Sequence, residues 1–425
     1  MPFEKREFPE LDECYLYSKI EGGPQIYLIP KQRSQNYVLL QVPFGSLDVT
    51  YRLGNRRFSV PGGSAHFIEH KLFANEDGRD SLEILGALGA NGNAYTTLNS
   101  TCYLFSCREN LIPALSELLR FVSEPYFTEK NVASERSVIE QEIAMYDDSP
   151  STALYYLALR AMYEKHPIRK SICGTKADVS RLDAATLGSL YRAFYHPSNW
   201  RIFVSGRFDA EEIKGVVERF LSSDPPPALT RKPFSGEPTL PHRTSVTRRM
   251  RVHRPLFALG LKLDPPIGTP EQMTQAMIAR GILLSTVLGK SGSLYESLYD
   301  RGLVTAPAAS AVEMHGSAAY LLITGESEYP EVVLDEITAA LADAASGKLD
   351  KDDFERTKRV TYSDFLASLD STEELAEGFC SAVVDSIDLF TYGRLLSGIS
   401  CEYALNLFKN DFDPARLVRA RILPK

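Results

Sequence analysis

The segment Ser64-Ala65-His66-Phe67-Ile68-Glu69-His70 constrains this chain more than any other, because it sets two imidazoles and a carboxylate on consecutive turns of one expected helix. Residues three and four apart share a helix face, so His66 and His70 can close on one metal ion with Glu69 beside it. Neutral imidazole suits zinc, and two His plus one carboxylate leave a fourth tetrahedral position open to water. Zinc lowers the pKa of such a water to roughly 7, and a neighbouring glutamate can take its proton, which is the chemistry of metal-assisted amide hydrolysis. The plain alternative is a solvated polar face, but with only 7 His in 425 residues so tight a grouping is expected in roughly one chain in a hundred.

A third ligand is on offer in residues 131–145, where Val132, Val138, Ile139, Ile143 and Met145 predict a helix with one buried stripe. Glu135 and Glu142 share a face of it but stand about two turns, ~10 Å, apart, so one can ligate while the other supports.

Together these residues resemble the pitrilysin/insulinase family of inverted-motif zinc peptidases, in which His-x-x-Glu-His is followed by Glu-x6-Glu about seventy residues later. The resemblance implies His66, His70 and Glu142 as zinc ligands, Glu69 as general base and Glu135 as a carboxylate that orients the site. Gly89 to Thr96 is similar to the family's substrate-binding edge strand, which makes Asn93 and Ala94 the expected contacts of an extended peptide added main chain to main chain. Tyr195 to Trp200 is a further match. Many active members carry Leu-Arg-x-x-Gly-Leu-x-Tyr in a second domain, whose Arg and Tyr bind substrate and stabilise the oxyanion. Here Leu298 to Thr305 puts Tyr299 and Thr305 at those positions. The resemblance therefore implies a half-clamshell zinc endopeptidase subunit that takes the missing groups from a homologous chain. A heterodimer is favoured, and a homodimer using Tyr295 or Tyr299 is the variant. The alternative function is a zinc-binding but catalytically idle subunit kept for assembly or peptide binding.

The fold expected is α+β, with two similar domains, each a mainly antiparallel sheet covered on one face by helices. Strand-like runs at 26–29, 37–42, 93–98 and 101–106 precede helical periodicity at 112–122, 134–145, 154–163 and 184–194. Ser64 is the expected N-cap of the motif helix, and Asn99-Ser100 the turn of a hairpin. Residues 222–244 read as a Pro-rich linker between a zinc-binding peptidase domain, 1–221, and a homologous non-catalytic domain, 245–425. The second domain repeats the first in outline, with 256–261 standing where 37–42 stood and 318–324 where 101–106 stood.

An apolar content of 44% and a net charge of −8 fit a soluble protein and argue against a nucleic-acid partner. No segment approaches the ~20 apolar residues of a membrane span, and the first residues lack a signal-peptide core, so no membrane partner and a cytoplasmic location are expected. The 6 Cys show no C-x-x-C spacing and read as reduced and mostly buried.

Overall fold

The computed structural model describes residues 2–265 and 267–425. Its contacts group the chain into two units: Met1–Ile143, Ser171–Lys232 and Ala367–Phe390 form unit one, and Ala144–Lys170, Pro233–Leu366 and Thr391–Lys425 form unit two. The linear division at the Pro-rich stretch is thus crossed by two segments, for a packing reason. The helix Thr372–Val384 lies on central strands of unit one, and the helix Pro150–Met162 lies on central strands of unit two.

Unit one contains β1 (Glu4–Phe8), β2 (Glu13–Lys19), β3 (Gln25–Pro30), β4 (Asn36–Val42), β5 (Thr50–Leu53), β6 (Arg56–Ser59), β7 (Asn91–Thr96), β8 (Thr101–Cys107), β9 (Arg201–Gly206) and β10 (Leu229–Arg231). Seven of them form one sheet in the order β1-β2-β3-β9-β4-β8-β7, antiparallel except for the β3/β9 pair. Every residue of β4 is buried. Its residues Val38, Leu40 and Val42 join a core with Phe67 and Ile68, while Tyr37 and Gln41 bond to Glu377 and Cys380 of the helix Thr372–Val384.

Unit two contains β11 (Ser245–Met250), β12 (Leu256–Leu263), β13 (Ala309–His315), β14 (Ala318–Glu326) and β15 (Leu417–Pro424), in the order β11-β15-β12-β14-β13. Only β11/β15 is parallel. The series β3-β9-β4-β8-β7 is therefore repeated, strand for strand and direction for direction. The correspondences read from sequence hold, with β12 in the place of β4 and β14 in the place of β8.

Several local expectations are corrected. The Pro-rich stretch is not all linker, because Leu229–Arg231 forms β10, antiparallel to β5. The hairpin turn is the four-residue Thr97–Ser100, closed by Thr97 N–H to Ser100 O at 2.7 Å, and β7 begins at Asn91 rather than Asn93. The first five α-helices are α1 (Ser64–Leu72), α2 (Ser81–Ala87), α3 (Leu111–Ser123), α4 (Glu129–Asp148) and α5 (Pro150–Met162). Along α4, Val132, Ile139 and Ile143 are buried, at seven- and four-residue spacing on one face. Val138 and Met145 do not belong to that stripe, being 51% and 61% exposed on another face. Among the described residues, no helix is long and apolar enough to cross a membrane. All six cysteines are free, and all but Cys14 are buried.

Candidate active site

The start of α1 is set by glycine rather than by a side-chain cap. Gly63 is the N-cap at φ 78°, where a Cβ would also sit 2.4 Å from the carbonyl oxygen of Cys173. Ser64, the expected cap, is the first helical residue instead, and its hydroxyl donates to Pro61 O at 2.7 Å. Ala65, Phe67, Ile68 and Leu72 then sink α1 into the core, which leaves His66 and Glu69 buried and His70 partly exposed.

α4 brings its carboxylates to this helix. Glu142 Oε2 stands 3.5 Å from His66 Nε2 and 3.4 Å from His70 Nε2. One ligand atom from each of His66, His70 and Glu142 lies within 4.8 Å of the others. Atoms bound to zinc at about 2.1 Å on tetrahedral corners are separated by about 3.4 Å, so the donor set fits such an ion. Glu135, one turn pair back along α4, meets the far side of His70, with Oε1 3.1 Å from Nδ1.

The electrostatics sharpen that fit. The hydrogen bond from His70 holds the Glu135 carboxyl below its ordinary range, with Lys71 at 3.7 Å adding to the effect. Glu135 is thus an acceptor, His70 Nδ1–H donates to it, and the Nε2 lone pair is left facing Glu142. Burial pulls the His70 imidazole down, but Glu135 and the charges of Glu69 and Glu142 outweigh it, and the net shift is upward. Two imidazole nitrogens and a carboxylate oxygen converge on one point, a donor set suited to a cation. His66 has no matching brace, since its buried Nδ1 has no hydrogen-bond partner among the described residues.

Glu69 lies outside this trio. Burial raises its carboxyl, opposed by a bond from Thr96, whose Oγ1 is 2.5 Å from Glu69 Oε2. Thr96 ends β7, an edge strand of its sheet that among the described residues pairs with β8 alone. Asn93 and Ala94 lie on that open edge, where Asn93 Oδ1 accepts the Ala94 N–H at 2.9 Å.

Residues 59–176, which include all five residues of the motif and its carboxylate pair, match the Insulinase (Peptidase family M16) family, and residues 181–361 match the Peptidase M16 inactive domain. The chain belongs to the M16 insulinase family. It is 32% identical over 425 residues to the "Uncharacterized zinc protease YmfH" of Bacillus subtilis (strain 168), covering 99% of both chains. Its fold is similar to that of a putative M16-like peptidase from Alicyclobacillus acidocaldarius, with a TM-score of 0.92 and 30% identity over 100% of this chain and 99% of that one. The periplasmic protease PqqL from Escherichia coli shares the fold at a TM-score of 0.75 and 16% identity, matching 100% of this chain to 48% of its own.

Within this M16 chain, three residues near the motif were missed by sequence reasoning. Thr96 bonds Glu69, Lys71 supports Glu135, and Cys173 Sγ stands 3.8 Å from His66 Nε2. Only Thr96 carried a local signal, as it lies two residues from Ala94 and so on the same strand face. In the M16 inactive-domain match, Tyr299 is 55% exposed, and Thr305 Oγ1 accepts from Arg254 at 3.3 Å.

Proposed function

We propose that this chain is a zinc-dependent endopeptidase subunit that hydrolyses extended peptides, with His66, His70 and Glu142 as zinc ligands and Glu69 as general base. The observation that carries the proposal is the convergence of three ligand atoms within 4.8 Å of one another, two of the pairs at 3.4 and 3.5 Å, with a buried glutamate beside them. Zinc held there would supply Lewis acidity toward a water and toward the peptide carbonyl. Glu69, whose proton affinity burial increases, takes the proton of the attacking water and delivers it to the leaving amine. Glu135 holds the His70 ring in the tautomer that turns Nε2 to the ion.

Asn93 and Ala94 would receive the substrate main chain as an added strand on the open edge of β7. Because Asn93 Oδ1 caps the Ala94 N–H, docking requires Asn93 to turn away. We further propose that residues 1–221 form the zinc-binding peptidase domain and 245–425 its homologous non-catalytic partner. Tyr299 brings no positive charge and Thr305 is short, so a homologous chain would supply the Arg and Tyr that stabilise the oxyanion. The match to about half of a longer M16 protease supports such pairing. The same two residues favour the second reading, a zinc-binding subunit that is catalytically idle.

The test is a fluorogenic unstructured peptide, given to the zinc-loaded chain alone and with a homologous subunit, beside Glu69→Gln in each case. Turnover only in the mixture, lost in Glu69→Gln with zinc content unchanged, is the expected result. Each missing oxyanion donor should slow the isolated chain by about 10²- to 10³-fold. Full turnover by the isolated chain would remove the need for a different partner. Zinc binding without turnover in any mixture would select the idle subunit.

A further inference from the structure

We propose that Thr96 is a positioning residue for the reaction, fixing one oxygen of Glu69 so that the other faces the attacking water. The inference rests on the reading of Glu69 as general base and adds a residue that holds it. A glutamate carboxylate at the end of three rotatable bonds presents either oxygen in many directions, so a general base needs a fixed donor if its proton-accepting oxygen is to stay aimed. Thr96 Oγ1, 2.5 Å from Glu69 Oε2, is such a donor.

The hydrogen-bond inventory decides the direction of that bond. Thr101 Oγ1 is 3.4 Å from Thr96 Oγ1, yet its own proton goes to the carbonyl oxygen of Phe44 at 2.8 Å, which can only accept. Thr101 can therefore only accept from Thr96, and at 3.4 Å it competes poorly with the Glu69 oxygen at 2.5 Å, so the Thr96 hydroxyl proton goes to Glu69. The side chain is also stiff. Threonine is branched at Cβ, and Thr96 pairs with Thr101 across the β7/β8 ladder, so its hydroxyl is aimed by the sheet rather than by a loop.

This places the base and the docking edge on one piece of backbone. Ala94 and Thr96 lie two residues apart on β7 and project to the same face, toward α1. A peptide laid along β7 is thereby held in register with Glu69, because the strand that receives its main chain is the strand that orients the base.

Thr96→Val keeps the shape and removes the donor, while Thr96→Ser keeps the donor and removes the methyl. Assayed with the partner that supports turnover, Thr96→Val should lower kcat by about ten- to a hundred-fold with KM nearly unchanged, and Thr96→Ser should restore most of kcat. Zinc content should be equal in all three proteins. Crystal structures of the metal-free proteins give the second readout: Glu69 within hydrogen-bond reach of residue 96 in the wild type and Thr96→Ser, and turned away in Thr96→Val. A Thr96→Val enzyme with wild-type kcat, a Thr96→Ser enzyme as slow as Thr96→Val, or an unmoved Glu69 in Thr96→Val would each overturn the proposal. If no mixture turns over peptide at all, the peptidase reading fails, while the crystal comparison still decides whether Thr96 holds Glu69.

Discussion

In unit two, Lys262 is only 3% exposed, yet its ammonium reaches Glu237 Oε1 at 2.8 Å, Pro238 O at 2.7 Å and Leu240 O at 3.2 Å, so all three of its protons are used. Glu237 in turn accepts the backbone N–H groups of Glu164, Lys165 and His166 at 2.7 to 2.8 Å. His166 Nδ1 accepts from Ile168 N–H at 3.1 Å, its Nε2–H gives to Ser317 Oγ at 3.2 Å, and Ser317 gives to Phe234 O at 2.6 Å. Donors and acceptors alternate until the chain of bonds closes. Between α1 and α4 the pattern is opposite: two imidazole nitrogens stand 3.4 and 3.5 Å from one carboxylate oxygen of Glu142, and the buried His66 Nδ1 finds no partner among the described residues. A cluster that closes on itself pins scaffold, here the Pro-rich stretch. A cluster of converging ligand atoms is built for something that arrives.

That contrast can be broken by mutation. The largest effect is expected at His70→Ala, which should lose stoichiometric zinc, read by metal analysis, and reduce peptide hydrolysis to background, while the thermal midpoint of the metal-free protein barely moves. Lys262→Met should do the reverse. Removing one partner of a buried ion pair typically costs about 3 to 5 kcal/mol, so the denaturation midpoint should fall sharply while zinc content stays at wild type. Zinc loss in Lys262→Met without destabilisation would erase the distinction between the two clusters.

Glu135→Gln sharpens the comparison inside unit one. The amide still reaches His70 but no longer holds Nδ1–H by charge, so zinc affinity should weaken by about 10- to 100-fold in competition with a chelator, short of the loss at His70→Ala.

The smallest effect is a pH dependence of the closed cluster. Burial pushes His166 down from 6.5 to about 4, and its Nδ1 is already occupied as an acceptor. Between those values the unfolded chain binds a proton that the folded chain does not. Stability is therefore complete above pH 6.5, falls as pH drops through the window, and is fully reduced below about 4. The full shift corresponds to about 3 kcal/mol, which solvent screening should reduce to about 2 kcal/mol, and His166→Gln should flatten that part of the stability profile relative to the wild type. A variant with the same acid slope would show that other groups carry it.

Much of the fold was legible because its central strands are continuous apolar runs. β4, β8, β12 and β14 stand out by composition, and their order within each sheet follows the duplication. The short polar strand β6 was not legible. All of β6 is exposed and shows no apolar alternation, and ladder bonds to β5 make it a strand. β7 was placed two residues late because Asn91-Gly92 has the composition of a turn, and the pairing with Ser106 and Phe105 overrides it. Val138 and Met145 were assigned to the buried stripe of α4 on apolarity alone, although their angular positions put them off the face of Val132, Ile139 and Ile143.

The sequence by itself determined what lies within one helix. The spacing of His66, Glu69 and His70 places them on one side of α1 wherever that helix is put, since helical periodicity is a local property of the backbone. Likewise, the seven-residue separation of Glu135 and Glu142 made it certain that the two would take different places. Which of them faces both imidazoles was decided only by how α4 crosses α1, through the burial of Ile139 and Ile143 in the same core as Phe67 and Ile68. Tertiary structure alone brought Thr96 to Glu69 across 27 residues, and placed the helix Thr372–Val384 against β4. These contacts join segments distant in the chain, and their geometry comes from the packing of whole layers, which no local pattern encodes.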